Sequence, residues 1–252
     1  MGRLFLIATV IVVMLCPYWT AYADVQKIQI STYDNTDKSA LLFEQKKSGK
    51  YPAIVYMHGG LVREKGNPTY RKNGEFFFDV KDKVIDFASM GYVVLAPFRS
   101  TPEGCCNGDD AIKEGISLAH ASAQFLKSLP HVKKDKICLV GFSEGALISM
   151  WSMTQKNDYA AAFVMSPSRQ CGMRRAGSKN YCAKNLEKSG KLEKINKKII
   201  ITLGDSETKA HRKTAQNFSK LLKMEIRYFR GEHKSFVFPR DDVKELIRLE
   251  CS

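Results

Sequence analysis

Hydrophobic and polar positions along this chain fall into two alternating patterns. Short apolar, partly β-branched runs occupy 25–31, 40–45, 51–57, 92–96, 136–140, 160–165, 198–203 and 225–229. Charge or turn-forming residues bound each run, so each reads as a strand. Between them the apolar positions take helical spacing. Ile112, Ile116, Ala119, Ala123 and Leu126 make one buried stripe of a helix over about 109–129. Phe218, Leu221 and Leu222 mark a second helix over about 207–223, and Val243, Leu246, Ile247 and Leu249 mark the last. A polar loop over 61–75 leads into a helix that ends near Met90 and is capped by Gly91. Strands alternating with helices predict an α/β fold, a mostly parallel central sheet with helices on both faces. No internal repeat or low-complexity linker divides it, which implies one domain. Only the polar and basic stretch 166–198 breaks the alternation.

The first residues stand apart from that pattern. Arg3, an apolar core over 4–15 and the small-x-small sequence Ala21-Tyr22-Ala23 read as a signal peptide over 1–23, cleaved before Asp24. The apolar run is shorter than the ~20 residues that span a bilayer, so no stable membrane anchor is expected after cleavage. An exported protein, periplasmic or secreted, follows, with residues 24–252 as its folded domain.

Charge and cysteines refine this. Forty Lys and Arg against 26 Asp and Glu give a formal net charge of +14, which favours anionic surroundings or substrates. The lysines are spread along the chain without a zinc-finger, helix-turn-helix or aromatic-basic motif, so no nucleic-acid partner is expected. The 166–198 stretch reads either as a partial lid facing an anionic substrate or as a solvated face. Six cysteines follow the signal peptide. Cys171 and Cys182, in one polar loop, are the expected disulfide; Cys105 or Cys106 with Cys251 is a second pairing, and Cys138 reads as a buried free thiol. No Cys-x-x-Cys or His-x-x-x-His spacing occurs, so neither a metal nor another cofactor is expected.

The candidate chemistry sits in Gly141-Phe142-Ser143-Glu144-Gly145, with the 136–140 strand before it and the apolar stretch 146–153 after it. Strand, two-glycine turn and helix form the context of a nucleophile elbow, which thrusts Ser143 out at its tip. A serine hydroxyl is a poor nucleophile at neutral pH and needs a base, itself oriented by a carboxylate. Two histidines follow Ser143. His211 falls early in a helix and reads as a solvated surface residue. His233, in the loop between the last strand and the last helix, reads as the general base. Asp205 and Glu207 directly follow the strand ending at Leu203, and either could orient it. The backbone N–H of Glu144 is one expected oxyanion donor.

Further motifs support these residues: His58-Gly59-Gly60 after one strand, Ala96-Pro97-Phe98-Arg99 after the next, Leu203-Gly204-Asp205-Ser206-Glu207, and Gly231-Glu232-His233-Lys234-Ser235-Phe236. Over residues 50–250 the chain resembles the dienelactone hydrolase family and the related prolyl-oligopeptidase-like catalytic domains of the α/β-hydrolase superfamily. The resemblance implies the α/β-hydrolase fold and a second oxyanion N–H from Gly60, with Leu61 as its neighbour. It ranks Glu207 first as the acid, three residues after the glycine, and Asp205 second, although relatives more often carry aspartate there. His58 opens its loop and reads as structural. Arg99 either binds an anionic substrate group near the pocket mouth or pairs with an acidic surface residue. The expectation is a secreted or periplasmic serine hydrolase cleaving small-molecule carboxylic esters, anionic ones included, through an acyl-enzyme. The alternatives are a prolyl-oligopeptidase-like serine peptidase and a non-catalytic module that binds an anionic envelope polymer.

Overall fold

A computed structural model describes residues 24–65, 69–72, 75–100, 108–170, 178–233 and 241–251. The expected signal peptide, Cys105, Cys106 and Cys171 lie outside the described residues. Eight strands form one sheet in the order β1-β2-β6-β3-β7-β8-β9-β10. They are β1 (Gln26–Ser31), β2 (Asp37–Phe43), β3 (Tyr51–Met57), β6 (Val93–Pro97), β7 (Val132–Phe142), β8 (Ala161–Met165), β9 (Lys198–Gly204) and β10 (Ile226–Phe229). The pairs β1/β2 and β2/β6 are antiparallel, and the other neighbours are parallel. Parallel neighbours cannot be joined by tight turns, so helical crossovers connect them and cover both faces of the sheet.

The helices are α1 (Gly60–Lys65), α2 (Val80–Ser89), α3 (Asp109–Ser128), α4 (Glu144–Met153), α5 (Ala183–Lys188), α6 (Lys209–Leu222) and α7 (Asp241–Cys251). Side-chain alternation along β3 shows how the two cores arise. Ala53, Val55 and Met57 face one core with Ile112 of α3, Leu147 of α4 and Phe218 of α6. Ile54 and Tyr56 face the other with Val84 and Phe87 of α2 and Val243 and Ile247 of α7. Helix α4 is buried along its whole length, and its sequence is mostly apolar with Glu144 as its one charged residue. Among the described residues, no helix is long and apolar enough to cross a membrane.

Several expectations are corrected. The loop expected over 61–75 contains α1, and β4 (Thr69–Lys72) pairs with β5 (Glu75–Asp79) as a small separate hairpin. The aromatic run Phe76-Phe77-Phe78 favours strand over the expected helix, which starts only at Val80 behind the N-cap Asp79. Cys138 is not a free thiol. It is bonded to Cys251, 113 residues away, with Cα atoms 6.1 Å apart. Helix α7 folds back over β7 and β8, which puts its last turn beside the middle of β7 and within disulfide reach. A crosslink closing so long a loop stabilises by about 5 kcal/mol in the chain-entropy account. Cys251 is therefore not available to Cys105 or Cys106. Cys182 is buried at the N-terminus of α5, and its expected partner lies outside the described residues.

The described part of the 166–198 excursion is anchored to the body of the domain. Leu186 and Leu192 enter the core, and Trp151 Nε1 of α4 donates to the Tyr181 carbonyl at 2.7 Å. At the N-terminus of α3, Asp109 accepts from the Asn180 N–H at 2.8 Å and from the Ser178 hydroxyl.

Candidate active site

β7 runs straight into Ser143, and α4 begins at the next residue. Ser143 therefore makes the whole turn alone, at φ 55° and ψ −111°, a conformation that costs a non-glycine residue energy. Its neighbours explain the glycines on either side. A Cβ on Gly141 would overlap the Ser149 hydroxyl and the Gly145 carbonyl, and one on Gly145 would overlap the Met57 and His58 carbonyls. Only glycine lets α4 start so close to the ends of β7 and β3. The strained turn is held by three backbone bonds. Ser143 N–H donates to the Met165 carbonyl at 3.0 Å, and the Ser143 carbonyl accepts from Ser168 N–H at 3.1 Å and Leu147 N–H at 3.2 Å.

His233 follows β10 and turns back over the sheet. Its Nε2 lies 3.1 Å from Ser143 Oγ, and its Nδ1 lies 3.1 Å from Glu207 Oε2. Serine, imidazole and carboxylate thus form one hydrogen-bonded chain across the carboxyl ends of β7, β10 and β9. Glu207 is 5 % exposed. Burial pushes its carboxyl up, but hydrogen bonds from His233 and Ser166 and the His233 charge outweigh it and hold the group below the ordinary range. The other oxygen, Oε1, accepts from Thr208 N–H at 3.0 Å.

Asp205 does something different. It is exposed, and its Oδ1 accepts from Gly231 N–H at 2.9 Å, which is also the main reason its carboxyl sits below the usual range. It fastens the turn that leads to His233 rather than reaching the ring. Of the two candidate acids, the structure brings Glu207 alone to the imidazole.

Two residues beside His233 were given no part in the site from the sequence. Ser166, at the end of β8, is fully buried at φ 50°. Its hydroxyl donates to Glu207 Oε2 and lies 3.2 Å from His233 Nδ1. The polar residue directly after a buried strand was the available signal. His211 was expected on the surface, yet its ring stacks on that of His233 at 4.1 Å between centroids and 25° between planes. Thr208 caps α6, its hydroxyl accepting from His211 N–H and lying 2.7 Å from His211 Nδ1. Burial and the charge of His233 push the His211 imidazole down to about 4, with Glu207 opposing. His211 is therefore neutral at neutral pH. Phe142 contributes a further ring 4.8 Å from His233. Among the described residues, the metal-ligating groups near one another are these same three, Glu207, His211 and His233, with ligand atoms within 4.8 Å. A borderline cation there would have to replace the proton that His233 shares with Glu207.

On the other side of Ser143 lie the expected oxyanion groups. Gly60 opens α1 and Glu144 opens α4, both in first turns whose N–H groups have no partner within the helix. A Cβ on Gly59 would meet the Ser143 Cβ at 3.5 Å, so the β3 exit lies directly against the serine. Leu61, beside Gly60, is 42 % exposed. Arg99 does not stand at a pocket mouth. Its side chain is fully buried, and Nη1 is paired with Glu144 Oε1. Nη2 donates to the His58 carbonyl at 2.6 Å and the Gly59 carbonyl at 3.2 Å, and lies 3.1 Å from His58 Nδ1. Arg99 does pair with a carboxylate, but the expected surface partner is corrected, since Glu144 is as buried as the guanidinium. His58 is likewise buried beneath the loop, beside Phe98, as its structural reading requires.

Known proteins are similar to this chain in sequence or fold. The family model described as "BAAT / Acyl-CoA thioester hydrolase C terminal" matches residues 119–234. "Uncharacterized peptidase YtmA" of Bacillus subtilis (strain 168) is 32% identical over 124 residues, 49% of this chain and 44% of that protein. The match thus spans less than half of this relative. Among solved structures, the Pyrococcus horikoshii acylaminoacyl peptidase gives a TM-score of 0.64 at 14% identity, covering 90% of this chain and 42% of its own. The Pyrococcus furiosus esterase Pf2001 gives 0.64 at 18% identity, covering 92% and 95%. With its sheet order, elbow and strand-end groups, the chain has the α/β-hydrolase fold.

Proposed function

We propose that this protein is a serine hydrolase that cleaves carboxylic esters through an acyl-enzyme intermediate. The observation that carries the reading is the hydrogen-bonded chain from Ser143 through His233 to Glu207, set on a strained turn at the mouth of the sheet. In this mechanism Ser143 Oγ attacks the substrate carbonyl while His233 Nε2 takes its proton. Glu207 holds the imidazole with Nδ1 protonated and stabilises the imidazolium that forms. The tetrahedral oxyanion lies between the N–H groups of Glu144 and Gly60, where each donor is worth about 3–4 kcal/mol. Collapse of that intermediate returns the proton to the leaving alcohol. Water, activated by the same imidazole, then releases the acid.

A peptidase reading rests on a separate observation, the peptidases among the similar proteins. A thioesterase reading rests likewise on the description of the matching family. The resemblance to dienelactone hydrolases supports the ester reading, and the basic surface favours an anionic ester. Export belongs to the same proposal. The Cys138–Cys251 bond supports it, because such bonds persist in oxidising compartments. Recovery of a chain starting at Asp24 from outside the cytoplasm is the check on that point.

The test of the activity is a panel of p-nitrophenyl acyl esters, acyl thioesters and peptide anilides, each run with wild type and Ser143→Ala. Turnover of the esters ahead of the others, with kcat at least ~10⁴-fold lower in Ser143→Ala, is the expected result. Anilides turned over ahead of esters would favour the peptidase. Full activity in Ser143→Ala would rule out the mechanism.

A further inference from the structure

We propose that Arg99 is the positioning residue of the oxyanion hole, a role that rests on the hydrolase reading above. Arg99 follows β6 and reaches beneath the active site with its guanidinium wholly removed from water. A buried guanidinium is costly unless its donors are met, so its partners are the reason it is there. Those described are the Glu144 carboxylate, the His58 and Gly59 carbonyls and His58 Nδ1. They belong to the two segments that supply the expected oxyanion donors.

The peptide bond converts that anchoring into aim. The carbonyl and N–H of a trans peptide point in opposite directions, and the described peptides are trans. Gly59 C=O and Gly60 N–H share one peptide unit. Fixing the Gly59 oxygen on the guanidinium therefore turns the Gly60 N–H away from Arg99. His58 C=O fixes the Gly59 N–H in the same way.

On the second segment the guanidinium grips the side chain of the residue whose own N–H is the other donor. Glu144 Oε1 meets Arg99, and Oε2 accepts from Gln170 Nε2 at 2.8 Å. That carboxylate packs against the loop, since a Cβ on Gly60 would lie 3.1 Å from Glu144 Oε2. One planar cation thus sets the spacing between two N–H groups contributed by different elements. A lysine offers no such rigid fork.

Removing one member of a buried pair can unfold a protein for reasons unrelated to catalysis, whereas an apolar pair of similar volume is often tolerated. The decisive variant is therefore Arg99→Met with Glu144→Met, compared with Arg99→Lys. For each, Tm, kcat and KM on the best ester of the panel, and the inhibition constant of phenylboronic acid, are measured. The boronate forms a tetrahedral adduct on Ser143 and so reports on the hole rather than on substrate contacts. The double variant is expected to keep its Tm within a few degrees and its KM within about threefold. Its kcat falls ~10²-fold, as when one oxyanion donor is lost, and boronate affinity falls in parallel. Arg99→Lys, which keeps the charge, is expected to lose at least tenfold in kcat. Wild-type kcat and boronate affinity in either folded variant would overturn the proposal. So would a rise in KM at unchanged kcat, which would make Arg99 a substrate-binding residue. If the wild type cleaves nothing in the panel and does not bind the boronate, the hydrolase reading itself fails.

Discussion

Glu207 and Asp205 stand two residues apart, both carboxylates, both held below their usual range, yet their situations divide them. Glu207 is buried and its Oε2 faces the imidazole; Asp205 is exposed and holds the Gly231 N–H. Glu207→Ala should therefore lower kcat ~10³–10⁴-fold with little change in KM, the size of loss seen when an orienting carboxylate is removed. Asp205→Ala should cost less than about tenfold, by loosening the turn before His233. The reverse ranking in steady-state kinetics would make Asp205 the acid. Position alone could not separate the two, because both lie just after β9 and side-chain direction decides between them; only the family resemblance ranked Glu207 first. Ser143 and His233 were legible because each sits where a strand ends beside turn residues. His211 was misread because its half-buried position depends on stacking against a ring 22 residues further along the chain.

Between elements, α4, the helix that follows Ser143, depends on contacts made by its neighbours. Asp109 at the start of α3 holds Ser178 and Asn180, and the adjacent Tyr181 accepts from Trp151 of α4 and packs against its ring. Burial alone would raise the Asp109 carboxyl, but these hydrogen bonds bring it down to about 2, from an ordinary 3.8. A group whose folded value is depressed stabilises the fold above its unfolded value and loses that contribution as pH falls towards the folded one. Asp109→Asn should thus be less stable than wild type at pH 7, by on the order of 1 kcal/mol once solvent screening is allowed for. The gap should close between about pH 4 and pH 2. Urea unfolding at a series of pH values measures it, and a gap that widens in acid would contradict the assignment. The strands and long helices of this framework were readable from periodicity within a residue or two at most ends. The β4–β5 hairpin was not, because its aromatic run fits a helix face or a strand equally well until its partner strand is known.

Across the whole molecule, groups far apart in sequence converge on the carboxyl ends of the parallel strands. Ser143 follows β7, Ser166 follows β8, Glu207 follows β9, His233 follows β10, and Arg99 follows β6. The alternation of strands and helices foretold that convergence in outline, since an open parallel sheet gathers its loops at one edge. The pairings Arg99–Glu144 and Cys138–Cys251 were invisible for the same reason. Each joins elements whose adjacency exists only after the sheet is assembled, 45 and 113 residues apart. All of this converges on the single claim that Ser143 is an activated nucleophile. A fluorophosphonate probe tests that most directly, with the modified peptide located by mass spectrometry. The expected result is one adduct, on Ser143, formed by the wild type and absent from a folded His233→Ala protein. A folded wild type that remains unlabelled, or an adduct on any other residue, would contradict it.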